Sequence, residues 1–276
     1  MKGRLSAIQL VSTPDIEENL RQVASFLRDL PRAEQHLVVL PECFALFGCS
    51  DTQMKAFATS IPNHKVLDVL ADLACELNLY LVAGTLPTRS EGDARYSATC
   101  VVIDPQGEFI ASYNKMHLFD VEISDATGSY QESASTRPGE DAVTVSTSLG
   151  KVGLSVCYDL RFPELYRELR HQGAEILVAP SAFTQLTGEA HWLPLLQARA
   201  IENQCYMVAP NQGGEHANGR QTWGHSAIID PWGKVLAASE LGAGWISAAI
   251  DTQDLDQIRR KMPVWDHRRF TCEQID

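Results

Sequence analysis

Two stretches of this 276-residue chain, SATCVVIDPQGEFIASY (97–113) and HSAIIDPWGKVLAAS (225–239), each place an Asp-Pro-x-Gly turn between two β-rich runs. Asp can bond its own turn backbone, Pro presets φ, and Gly accepts the positive φ a tight turn needs, so both stretches read as hairpins. The turns recur 126 residues apart (Asp230 minus Asp104), and each follows segments that alternate between strand and helix. That recurrence predicts two similar halves: two mixed sheets stacked face to face with helices outside, an α/β fold forming a four-layer α-β-β-α sandwich.

The alternation is readable in detail. Residues 5–11 form an apolar run read as a strand, Thr13-Pro14-Asp15 supplies a cap with Pro in the first turn, and 16–30 has helical spacing that Pro31 ends. Strands are expected at 36–40, 79–83 and 176–179, with a helix at 66–77. No Ser/Gly-rich linker divides the halves, so residues 1–276 are expected to form a single domain. One stretch, 119–140, is rich in Ser, Thr, Gly and Glu without periodicity; loops of that length are either functional or floppy.

Composition removes several classes of partner. The chain is 45% hydrophobic and 21% charged, as folded globular chains are. Lys plus Arg 23 against Asp plus Glu 35 gives −12, which repels a phosphate backbone or an anionic membrane, so neither nucleic acid nor membrane is expected as a partner. No run approaches the roughly 20 apolar residues that span a bilayer, and the start lacks a signal-peptide core. Seven cysteines, an odd number with no C-x-x-C pair, fit a reducing cytoplasm.

Three reactive groups stand where predicted strands end. Cys157 closes the β-rich run 152–158 ahead of a helix that Pro163 opens, a place where the helix N-terminal charge favours thiolate. Glu42 follows the apolar run 37–40 across Pro41, and Lys115 follows the second arm of the first hairpin. Ligands collect at the carboxyl ends of strands in α/β sheets. Taken singly, Cys157 reads as a small buried hydrophobe and Glu42 and Lys115 as solvated charges. Together they make a carboxylate to take the thiol proton, a thiolate to attack a carbonyl and an ammonium to hold the oxyanion.

Rival chemistries fit less well. The eight histidines are scattered without His-Glu-x-x-His, so no metal site is expected. GLSVC is not G-x-S-x-G, and phosphate-binding glycine loops are missing, so no cofactor is expected either. A Cys-His enzyme using His117 or His191 stays open, although both read as bracing groups.

The blocks LPECF (40–44), YNKMHLFD (113–120) and GLSVCYDLRFPELYR (153–167) resemble, in order, the three signature blocks of the nitrilase, or carbon-nitrogen hydrolase, superfamily. The resemblance runs from Leu5 to about Arg269. It implies the α-β-β-α sandwich, a homodimer, and catalytic roles: Cys157 as nucleophile, Glu42 as general base and acid, Lys115 as oxyanion donor together with the backbone N–H of Tyr158. It also implies that Glu132, in YQES, supports Lys115, with Glu140 as the fallback.

Segments 181–214 and 224–237 resemble the Nit-type amidase branch, and Cys157-Tyr158-Asp159, in place of the Cys-Trp-Glu of true nitrilases, favours an amide over a nitrile. Gly213-Gly214 with His216, and MPVWDHRR at 262–269, favour amidases that act on deaminated glutathione over ω-amidases that act on 2-oxoglutaramate. The loop 215–225 departs from the pattern. A small 2-oxo-dicarboxylate amide substrate would need a guanidinium, for which Arg161 is the nearest candidate; the alternative pairs it with Asp159 or Glu164. Phe183 and Thr184, past another strand end, read as substrate-binding pocket wall or as core. If the implied dimer forms, 163–170 or 193–201 should be interfacial. A retired, binding-only relative on the same fold remains the non-enzyme reading.

Overall fold

The computed structural model describes residues 2–89, 92–123 and 128–271. The first half contains β1 (Lys2–Gln9), α1 (Ile16–Asp29), β2 (His36–Val39), α2 (Asp51–Phe57), α3 (Lys65–Leu77), β3 (Tyr80–Thr88), β4 (Ser97–Ile103) and β5 (Phe109–Asn114). A small ribbon follows, β6 (Asp120–Glu122) and β7 (Ser129–Gln131). The second half contains β8 (Thr144–Thr147), β9 (Gly150–Leu154), α4 (Pro163–His171), β10 (Ile176–Val178), α5 (Gln185–Asn203), β11 (Tyr206–Ala209), β12 (Ala227–Ile229) and β13 (Val235–Ala238). β14 (Gly244–Asp251) and α6 (Thr252–Lys261) come last.

Two six-stranded sheets result, ordered β14-β1-β2-β3-β4-β5 and β8-β9-β10-β11-β12-β13. In each, an antiparallel edge strand is followed by three parallel strands and an antiparallel hairpin. The halves therefore share one topology. Their hairpin turns match atom for atom: Asp104 Oδ1 accepts from Gln106 N and Glu108 N at 2.9 and 3.0 Å, and Asp230 Oδ1 from Trp232 N and Lys234 N at 2.9 Å each. Gly107 and Gly233 take φ of 82° and 88°, which a side chain would strain.

Strand alternation builds the layers. On β2, Leu37 and Val39 enter the core between the sheets, whereas Val38 joins the outer core with Val23 and Leu27 of α1 and Leu70 of α3. On the far side, Leu165 and Leu169 of α4 and Trp192 and Leu196 of α5 pack on the second sheet. β1 lies against β11 and β12 across the interface of the sheets. The result is the α-β-β-α sandwich expected.

Several boundaries differ from the sequence reading. Pro14 lies outside the first helical turn, because the N-cap is Asp15, whose side chain accepts from Glu18 N at 3.0 Å. β1 runs from Lys2 because β14 pairs with it along its whole length, and it ends at Gln9. β3 extends to Thr88, past a register shift between Ala83 and Leu86. The aperiodic stretch is ordered by the β6–β7 ribbon and a 3-10 turn at Glu132–Ala134; its residues 124–127 lie outside those described.

Candidate active site

Each strand-end residue is held by backbone contacts that its neighbours dictate. Leu40 N donates to Val82 O at 2.9 Å and carries the chain to Pro41. Gly84, with φ of 28°, passes so close under Pro41 that a Cβ would overlap its carbonyl oxygen. Only glycine permits this approach, and it fixes where Glu42 emerges. Cys43 N donates to Thr85 Oγ1 at 2.9 Å, and Gln212 Nε2 of the opposite half donates to the Glu42 carbonyl at 3.0 Å. Lys115 is pinned between β4 and the following loop: its N donates to Ala98 O and its carbonyl accepts from Gly139 N, both at 2.9 Å.

Lys115 Nζ donates to Glu42 Oε1 at 2.8 Å and to Glu132 Oε2 and Oε1 at 2.8 and 3.0 Å. Lys115 is 2% exposed and Glu42 5%. Burial disfavours the ammonium, yet Glu132 and Glu42 outweigh it and hold the Lys115 pKa well above its ordinary value. Glu132 opens the 3-10 turn after β7 and also accepts from Phe119 N at 2.7 Å. Glu140 lies elsewhere, exposed and 3.5 Å from Arg137, so Glu132 is the acid beside Lys115.

Cys157 begins a five-residue 3-10 turn with φ of 48°, its N–H donating to Pro180 O at 2.9 Å. The expectation that a helix N-terminus favours thiolate here is corrected. Burial pushes the thiol well above its ordinary value and the Glu42 carboxylate pushes it further, while Lys115 and the Ala182 backbone pull down without prevailing. At rest Cys157 is a neutral thiol beside a carboxylate.

The residue that joins these parts is Asp159, fully buried. Its Oδ2 accepts from Tyr113 Oη at 2.7 Å and Val156 N at 2.8 Å; its Oδ1 accepts from His117 N at 3.0 Å and meets His117 Nδ1 at 2.7 Å. One carboxylate thus ties the strand that leads into Lys115 to the turn carrying Cys157. Sequence reading saw Asp159 as part of the Cys-Tyr-Asp block and as a possible partner of Arg161, not as a buried hub, which has no local signature.

Glu42, Lys115, Glu132, Cys157, Phe183 and Thr184 all line one cavity of about 330 Å³. Phe183 and Thr184 are both wall and core, being 4% and 1% exposed. Thr184 caps α5, and Phe183 N donates to Asn211 Oδ1 at 3.0 Å. Arg161 stands behind that wall, its guanidinium 5.4 Å from the Phe183 ring centre and 5.8 Å from that of Tyr158. It bonds His191 Nδ1 at 3.1 Å, in place of Asp159 or Glu164. His117 stacks on Phe162 at 3.7 Å. No histidine lines the cavity among the described residues, so the group facing the thiol is Glu42. The guanidinium that does line the cavity, Arg220, comes from the loop that departed from the family pattern, and that departure is the one signal that pointed to it.

Comparison with known proteins agrees with this geometry. Residues 4–260 match the family model described as carbon-nitrogen hydrolase. A Synechocystis protein named deaminated glutathione amidase is 43% identical over 270 residues, covering 96% of this chain and 97% of the relative. The crystal structure of the C. elegans NitFhit protein superposes with a TM-score of 0.90 at 38% identity, over 97% of this chain and 65% of that longer one. Saccharomyces cerevisiae Nit3, described as a member of branch 10 of the nitrilase superfamily, superposes with a TM-score of 0.86 at 31% identity, over 98% and 97% of the two chains. The chain belongs to the carbon-nitrogen hydrolase family and is a hydrolase of carbon–nitrogen bonds.

Proposed function

We propose that this hydrolase is an amidase that cleaves a small 2-oxo-dicarboxylate amide through a thioester on Cys157, with deaminated glutathione as substrate and 2-oxoglutarate and Cys-Gly as products. The observation that carries the reading is the buried Glu42–Lys115–Glu132 ion cluster opening onto the same cavity as the Cys157 thiol. The substrate follows from the name of the Synechocystis relative.

Glu42 takes the thiol proton as the sulfur attacks the amide carbonyl, so the thiolate exists only as it reacts. The carbonyl oxygen becomes an oxyanion held by Lys115 Nζ and by the backbone N–H of Tyr158, one of the donors that the start of a helical turn leaves without an intrahelical partner. As the tetrahedral species collapses, Glu42 returns the proton to the departing amine of Cys-Gly. Water then enters, Glu42 removes its proton, and hydroxide attacks the thioester to release 2-oxoglutarate and restore the thiol. Glu132 keeps Lys115 charged and aimed throughout. Phe183 and Thr184 form the wall for the acyl portion, and Arg161, stacked behind Phe183, sets a positive charge on the side where the 2-oxo acid lies.

The whole chain acts as one catalytic domain, working as a homodimer in the cytoplasm. Support for the dimer comes from α5, where Leu186, Leu193 and Ile201 are 46%, 40% and 45% exposed at spacings of seven and eight that share one helix face. Support for a reducing compartment comes from the six described cysteines, all free.

The test is product formation from deaminated glutathione and from 2-oxoglutaramate in parallel, with Cys157→Ala as control. The expected outcome is turnover of the first well above the second, abolished in the variant. Preference for 2-oxoglutaramate would move the protein to the ω-amidases, and cleavage of neither would overturn the substrate class.

A further inference from the structure

The cavity contains two cations with opposite circumstances. Lys115 is neutralised twice over by Glu42 and Glu132. Arg220 forms no ion pair among the described residues, although it lines the same cavity. One of its terminal nitrogens donates to Ala182 O at 3.0 Å, and its Nε is buried without an acceptor. The guanidinium lies 5.1 Å from the ring centres of both Phe47 and Tyr130, two further cavity residues, so it rests between aromatic faces. Stacking of this kind orients the plane of the group while leaving donors on its edge for a ligand.

The loop that presents Arg220 is rigidly tied. His216, 4% exposed, bonds Ser12 O through Nδ1 at 3.0 Å and Thr222 Oγ1 through Nε2 at 2.8 Å, and packs edge-on against Phe47. Glu215 and Gln221 bridge across the loop, and His216 N donates to Arg220 O at 2.9 Å. The Arg220 side chain is thus held by its loop and by its aromatic neighbours.

Position along the cavity distinguishes it from Arg161. Arg161 abuts Tyr158 and Phe183, on the nucleophile's flank. Arg220 spans from Ala182, beside the nucleophile, to Phe47 and Tyr130, and its charge acts on the Cys43 thiol next to Glu42, so it faces the cavity from the Glu42–Cys43 side as well. In the reaction proposed above, Glu42 hands its proton to the leaving amine, so that amine and whatever it carries lie on the Glu42 flank.

We infer that Arg220 binds the carboxylate of the leaving amine, making this enzyme selective for amides whose departing portion ends in an anion over primary amides that release ammonia. The inference rests on the amidase reading of the site and names a specificity residue for it. Arg220 is a binding group for the leaving portion, with no part in bond making. Its guanidinium reads a carboxylate through paired N–H donors, a contact that a carboxamide of the same shape cannot reproduce.

The experiment is a kinetic comparison of wild type, Arg220→Gln and Arg220→Lys on three amides of one acyl group: deaminated glutathione, the same molecule with its terminal carboxylate converted to a carboxamide, and 2-oxoglutaramate. Wild type should prefer the carboxylate to the carboxamide by about tenfold or more in kcat/KM, the scale of one hydrogen bond to a charged group. In Arg220→Gln that preference should fall to near one, chiefly through a higher KM for deaminated glutathione, and Arg220→Lys should recover part of it. Equal loss on all three amides would mean that Arg220 only supports the loop, and an undiminished preference in Arg220→Gln would place the carboxylate elsewhere; either overturns the assignment while the amidase reading stands. Wild-type turnover of none of the three overturns both.

Discussion

The two halves of the molecule present the same strand ends to solvent and to each other, yet they arm them differently. Counting from equivalent strands, Cys157 stands three residues beyond β9 (Leu154), and Ser12 three beyond β1 (Gln9). Glu42 stands three beyond β2 (Val39), and Ser181 three beyond β10 (Val178). Lys115 directly follows β5, and Ser239 directly follows β13. Every reactive residue has a serine as its topological mate. Those serines join packing networks: Ser12 Oγ donates to Phe44 O at 3.0 Å and accepts from Gln212 Nε2 at 2.8 Å, Ser181 Oγ donates to Ala179 O at 2.9 Å, and Ser239 Oγ donates to Gln9 Oε1 at 2.7 Å. The topology offers the positions twice; the residues at them decide where chemistry can occur.

A second asymmetry explains why charge is tolerated on one side only. Between β5 and β8 the chain inserts the ribbon and turn that deliver Glu132 to Lys115, whereas from β13 it passes to β14 within residues 239–243. Without that insert, the three N–H donors of the buried Lys115 ammonium would have the Glu42 carboxylate alone among these contacts, and buried donors left without acceptors are costly.

Removing the charged members tests the contrast most severely. Lys115→Ala should cost at least about two orders of magnitude in kcat, as loss of an oxyanion donor does, and about 3 kcal/mol of stability, because it strands the buried Glu42 carboxylate beside the half-buried Glu132. Steady-state rates and urea denaturation check both, and a stability loss without a rate loss would remove Lys115 from the chemistry. Asp159→Asn should cost roughly 2–3 kcal/mol and slow turnover, because the hub then offers one acceptor oxygen instead of two to Tyr113, Val156 and His117. A variant that melts like wild type would mean that Asp159 does not join the halves.

Both halves hide imidazoles whose pKa burial lowers, His36 and His64 in the first and His216 in the second. His36 is held at a pKa of about 4 by burial and then by Arg4, and His216 at about 4 by burial and by Arg220, against the Ser12 carbonyl. Both would protonate near 6.5 when unfolded, so between about 6.5 and 4 the unfolded chain binds more protons than the folded one. Stability should therefore be complete above pH 6.5 and fall as pH drops towards 4, by on the order of 2 kcal/mol for each histidine. His36→Gln and His216→Gln should each flatten that slope; if only one does, the halves respond to acid unequally. The smallest effect belongs to the mate of Lys115. Ser239→Ala should cost about 1 kcal/mol in thermal unfolding, the worth of its bond to Gln9, with kcat within about twofold of wild type.

What sequence could show follows the reach of its signals. The Asp-Pro-x-Gly hairpins and the strand-helix alternation are local, and the elements they announced fall within a few residues of where they were expected, whereas α2, β14 and α6 had no such signal. Glu42, Lys115 and Cys157 were legible because each follows a strand end and because their blocks resemble a family in order. Pairing of β14 with β1 was not legible, since it joins the two ends of the chain through backbone bonds that leave no side-chain pattern. The same holds for Gln9, whose amide nitrogen donates to Glu240 O and Gly242 O while its oxygen accepts from Ser226 N at 3.0 Å. Asp159 and Arg220 escaped for a related reason: Tyr113 and His117 for the one, and Ala182, Tyr130 and Phe47 for the other, lie far away in sequence, and only folding brings them together.

The neutral state of Cys157 has a consequence for the life of the protein in the cell. Oxidants and electrophiles attack thiolates, and a thiol reacts with peroxide in proportion to its ionised fraction. In the mechanism proposed above, a thiol that ionises only when an amide carbonyl is there to receive it would spend its idle time inert, shielded from the sulfenic and sulfinic acids that would end its service.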